Sequence, residues 1–92
     1  MYTLSKRYPE PVDLFRAISR SGIEHLDINP QRVVLLFSGE VVIIQAVTGT
    51  LGAAREIEVQ FWKTPRGTTA DWETLAERLE EKLDEVTNNE SR

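Results

Sequence analysis

Five carboxylates, Glu73, Glu77, Glu80, Glu81 and Asp84, crowd the last quarter of the chain at spacings of one, three and four residues. Side chains of this type could share a proton, hold a cation or dock a basic protein surface. Acid–base chemistry needs a pocket that sets one carboxyl apart from its neighbours, and a small chain with a continuous apolar core has little room for one. On a helix, Glu73/Glu77, Glu77/Glu81, Glu80/Asp84 and Glu81/Glu85 are like-charge pairs one turn apart, each mildly destabilising. A helix selected for stability alone would carry lysine there. The face therefore reads as a docking surface for a protein partner with a basic surface. The plainer reading is a solvated helix face that keeps the chain in solution.

A second constellation is cationic. Arg55, Trp62, Lys63 and Arg66 could stack on a base and neutralise a phosphate, which makes a small nucleic-acid or phosphate-ligand binder the competing class. Ordinary strand-end charges explain the same residues. Gly49-Thr50-Leu51-Gly52 has the bare GxxG pattern of backbone clamps on nucleic acid, but it falls between two strand-like runs, where a flexible hairpin loop is the simpler assignment.

His25 is the one histidine, and there are no cysteines. A zinc site would need mostly carboxylates, a thiolate nucleophile is absent, and a triad has no support beyond a lone base. His25 reads as a surface or strand-edge residue, and no catalytic residue, metal or cofactor is assigned. With 92 residues and a net charge of −4, the chain is one domain that as a whole should not seek nucleic acid or an anionic membrane. No run approaches a transmembrane span and no secretory apolar stretch opens the chain, so the expected location is cytoplasmic.

The elements that must position these residues centre on Gln31 to Val47. Val33–Phe37 and Val41–Ile44 are consecutive apolar runs rich in β-branched residues, each too short for a typical helix, with Ser38-Gly39 between them. That is a hairpin. A strand with one wet face alternates apolar and polar residues, and these two hardly do, so both faces of the sheet need cover.

Tyr2–Lys6 alternates weakly, as a short edge strand would. Pro9 to Gly22 suits a helix with Pro11 in its first turn, Leu14, Phe15, Ala17 and Ile18 on one side, and Gly22 ending it. Glu24–Ile28 alternates as a further strand. Arg55–Lys63 alternates cleanly, with Ile57, Val59 and Phe61 on its dry face, and is expected nearer an edge than the hairpin. Thr68-x-x-Asp71 resembles a capping box opening a helix whose stripe is Trp72, Leu75, Ala76, Leu79, Leu83 and Val86.

The expected fold is α+β: a two-layer antiparallel sheet of three to five strands with two helices on one face. One domain spans 1–87, and 88–92 form a disordered polar tail. Two helices cover one sheet face and nothing remains for the other, so the chain is expected to be a homodimer through Val34, Leu36, Val42 and Ile44. The expected function is a non-enzymatic protein-binding module, a small accessory subunit or inhibitor, docking by the acidic helix face or the exposed apolar sheet face.

Overall fold

The computed structural model describes residues 2–62 and 72–90. Strands β1 (Tyr2–Val12), β2 (Glu24–Asn29), β3 (Arg32–Phe37), β4 (Glu40–Ala46) and β5 (Ala54–Trp62) form one sheet in the order β1-β5-β4-β3-β2, every neighbouring pair antiparallel. Helices α1 (Leu14–Ser21) and α2 (Trp72–Glu90) pack on one face of it, in the two-layer α+β arrangement expected.

The hairpin sits where the hydrophobic pattern puts it. Ser38 and Gly39 adopt φ of 52° and 78°, the two successive positive values of the tight turn whose twist suits antiparallel strands. Phe37 then pairs with Glu40, Leu35 with Val42 and Val33 with Ile44. The last two pairs, with Ile57, Val59 and Phe61 of β5, are buried beneath the helices.

The first helix departs from the sequence reading. Pro9 and Pro11 belong to β1, which is an 11-residue strand and not a five-residue one. Proline lacks the N–H that an interior strand must donate, but β1 lies at the edge of the sheet, where that donor is not needed. Its register shifts between Arg7 and Val12, across the proline segment. The helix starts only after Asp13, whose side chain accepts a hydrogen bond from the Arg16 N–H at 3.1 Å. An Asp cap satisfies an orphan helical donor, and here it outweighs the proline signal. Gly22 ends the helix at φ 76°, as expected.

β5 is flanked on both sides, by β1 and β4, and its polar residues face the uncovered side of the sheet. The segment before it is no free loop. Leu51 heads a single 3-10 turn (Leu51–Ala53) and is completely buried, its N–H donating to the Pro30 carbonyl at 2.9 Å.

Leu75, Ala76, Leu79 and Leu83 of α2 are buried on the sheet, as their spacing requires. Trp72 stacks on Tyr2 with ring centroids 6.5 Å apart, and Phe61 lies tilted against both. The helix runs to Glu90, taking in residues 88–90 of the expected tail. The capping box at Thr68–Asp71 and the side chain of Val86 lie outside the described part.

Leu79 sits at the centre of this stripe, so Leu79→Ala should cost about 2–5 kcal/mol in urea unfolding. A loss within half of one kcal/mol would mean that α2 is not seated on the sheet.

Candidate functional site: the uncovered sheet face

Alternation along five strands builds two unlike surfaces. The one left uncovered by the described residues is ordered in rows fixed by the pairing. Trp62, Val41, Leu36 and Glu24 form one row; Thr3, Gln60, Ile43, Val34 and Leu26 the next; Ser5, Glu58, Gln45 and Arg32 the third. The apolar part lies over β4, β3 and β2, with Trp62 at its β5 border. Leu26, Leu36 and Trp62 are 64%, 49% and 44% exposed, while Val34, Val41 and Ile43 between them are half-buried. An open depression at the β2 side is lined by Glu24, His25, Leu26, Val34 and Leu36.

Of the expected dimer residues, the pairing keeps two. Val34 and Leu36 lie on this face. Val42 and Ile44 do not: both are completely buried under the helices. The two-residue turn decides the matter, because it sets Leu36 opposite Val41 and Val34 opposite Ile43. Val41 and Ile43 take the open positions, and counting outward from Ser38-Gly39 would have shown it. Leu26 was missed as well, although its alternation was visible, because an unpaired strand shows no face until its partner is known.

The polar border is held by side-chain bonds. Arg32 donates twice to Gln45 Oε1, at 3.2 Å from Nε and 2.6 Å from Nη2. Gln60 donates to Glu58 Oε1 at 2.8 Å and accepts from the Trp62 indole N–H at 3.4 Å. Arg7 and Glu56 pair at 3.4 Å further along.

The acidic helix divides into two groups. Glu73, Glu77 and Glu81 are exposed. Glu80 and Asp84 instead flank the buried stripe and reach the sheet: Lys6 Nζ lies 3.3 Å from each Asp84 carboxylate oxygen and 3.9 Å from Glu80 Oε2. The same ammonium sits 5.3 Å from the centre of the Tyr8 ring. Burial, then the Asp84 and Glu80 charges, hold the Tyr8 hydroxyl well above the usual tyrosine range. The interior gap bordering this cluster is about 10 Å³, room for one water and no substrate.

The cationic constellation is not brought together. Arg55 and Trp62 stand near opposite ends of β5, seven residues or roughly 23 Å apart, and their positions differ in parity. Lys63 and Arg66 lie outside the described residues. Gly49 and Gly52 do join two strands, and Gln31 Nε2 donates to the Gly49 carbonyl at 3.3 Å, tying that loop to the β2–β3 turn. His25 is on edge strand β2, its Nδ1 2.8 Å from the Ile23 carbonyl oxygen. Among the described residues no three His, Cys, Asp or Glu side chains are placed to hold a metal ion. No helix of the described part is long and apolar enough to cross a membrane.

Comparison with protein-family models, with curated proteins and with solved structures finds no match for the chain.

Tyr8 carries a pH prediction. Its folded-state pKa is raised, so above pH ~10 the unfolded chain releases the phenolic proton while the folded one retains it. Stability from this group is complete below that pH and declines above it. Wild type should lose stability faster than Tyr8→Phe as pH rises through ~10–11 in denaturant titrations. Parallel curves would contradict the environment described for Tyr8.

Proposed function

We propose that this chain is a non-enzymatic protein-binding module of the cytoplasm, an accessory subunit or inhibitor in type, whose docking surface is the uncovered face of its sheet. The observation that carries this reading is the run of Leu26, Val34, Leu36, Val41, Ile43 and Trp62 across four adjacent strands, with no element of the described chain over it. Scattered exposed leucines are common on monomers; a contiguous patch rimmed by polar residues marks an interaction surface. The patch is ordered by backbone pairing, and the depression at its β2 side is open to solvent, which suits another polypeptide better than a small ligand needing enclosure.

The first protein available to that face is a second copy of the chain. The alternative surface, the acidic helix, is reduced to the exposed row of Glu73, Glu77 and Glu81, since Glu80 and Asp84 are engaged by Lys6. The phosphate-binding alternative is weakened by the separation of Arg55 from Trp62.

The test compares two surface variants. Leu36→Glu should remain folded, because Leu36 points outward, with a loss of about 1 kcal/mol or less. Leu35→Glu, which places a charge in the core, should unfold. Tagged wild type should co-purify a protein from its host, an untagged copy of itself included. Leu36→Glu should lose it, while Glu77→Lys with Glu81→Lys should keep it. Retention by Leu36→Glu, or no co-purifying protein at all, would overturn the reading.

A further inference from the structure

We propose that the uncovered face is the interface of a homodimer whose two-fold axis runs parallel to the strands over β4. The proposal rests on the protein-binding reading of that face and commits it to one occupant, a second copy. What selects this occupant is the placement of charge.

Arg32 and Glu58 stand in the same row, one strand to either side of β4, which is the central strand of the five. Among the described residues neither has an ion-pair partner. Arg32 leans on the neutral amide of Gln45, and Glu58 accepts from the neutral amide of Gln60. Within the described part, a guanidinium and a carboxylate thus stand without counter-charges on the border of an apolar patch.

Two sheets packed face to face are related by an axis lying in the interface plane, and two directions are natural for it. An axis along the strands through β4 exchanges β3 with the second copy's β5 and leaves each row level with itself. Arg32 then meets the second copy's Glu58, and Glu58 meets its Arg32, so one sequence feature forms two ion pairs. In the same operation Leu36 meets the indole of Trp62 twice, Ile43 and Val41 meet their own counterparts on the axis, and Val34 and Leu26 meet the second copy's Gln60 and Thr3. An axis across the strands through the Ile43 row exchanges the first row with the third. It would seat Arg32 on Leu36 and Glu58 on Trp62, burying both charges against apolar groups at considerable cost. The charge pattern is self-complementary about the first axis and self-defeating about the second.

The sheet edges do not offer the same solution. β1 carries Pro9 and Pro11, which supply no backbone donor for pairing with a further strand. Pairing through β2 would join the two sheets side by side and leave Trp62, Val41 and Ile43 uncovered.

The test is a charge exchange read by sedimentation velocity on the full chain, from micromolar to submillimolar concentration. Wild type should show a species of twice the 10.5 kDa chain mass that dissociates on dilution. Arg32→Glu and Glu58→Arg each replace two attractions by two like-charge contacts, and each should weaken the dimer roughly tenfold to a hundredfold. In a mixture of the two variants, the carboxylate introduced at position 32 of one chain meets the guanidinium introduced at position 58 of the other. The native Glu58 of the first chain meets the native Arg32 of the second, so the mixture should dimerise as wild type does. Circular dichroism checks that both remain folded; if either does not, Arg32→Gln and Glu58→Gln replace them, and both should weaken the dimer. A wild-type dimer insensitive to these changes, or a mixture that stays monomeric, would overturn the axis. A wild type that sediments only as a monomer would overturn the homodimer. In that event, capture of a different protein that Leu36→Glu abolishes would leave the protein-binding reading standing, and capture insensitive to Leu36→Glu would remove both.

Discussion

Side chains on a strand alternate between two faces, and this fold is shaped by that constraint acting on unbroken apolar runs. β3 can deliver Val33 and Leu35 to the core only by turning Val34 and Leu36 away from it. β4 delivers Val42 and Ile44 by turning out Val41 and Ile43 in the same manner. The Ser38-Gly39 turn then fixes which residues stand opposite one another. A slip of one residue in β4 would bury the other set and expose this one, so the turn, more than any single apolar contact, determines the composition of both faces. Helices of 8 and 19 residues suffice for one side. The second side is the direct consequence of building the first from such strands.

The seating of α2 shows how magnitudes decide between readings of its acidic residues. Burying Leu75, Leu79 and Leu83 contributes on the order of 1.5–3 kcal/mol each, whereas a like-charge pair one turn apart costs only tenths. The exposed acidic row that includes Glu77 and Glu81 is therefore tolerated with no protein docked on it. Lys6 offsets part of the remaining charge by placing its ammonium between Asp84 and Glu80 on a half-buried tyrosine. These carboxylates hold the last helix to the first strand. They join sequence ends 78 residues apart.

The parts of the fold legible in the sequence were those decided locally. The hairpin followed from β-branched runs around a glycine, α2 from its apolar stripe, and the close of α1 from Gly22. What was not legible depended on pairing. Pro9 and Pro11 look like helix-start residues until β1 is known to be an edge strand. Val42 and Ile44 are as apolar as Val41 and Ile43, and only the register separates buried from exposed. Arg32 and Glu58 lie 26 positions apart, and nothing in their neighbours suggests that they share a row. Lys6 gave no signal either, since an ion pair spanning the chain has no local signature.

The same dependence on pairing bears on how the uncovered face could serve the proposed docking. The polar side chains of that face border its apolar rows, whereas those of Lys6, Glu80 and Asp84 clamp a helix on the other side. A sheet face ordered by backbone hydrogen bonds is preorganised. Its side chains are already fixed in rows at strand spacing, so docking another sheet orders little that was mobile and loses correspondingly little entropy. It would also bury leucine, isoleucine and tryptophan surface that the described residues leave exposed. Because pairing sets the rows, the opposite charges at Arg32 and Glu58 would fix the orientation of the proposed dimer, since turning the face about the central strand sets each opposite the other.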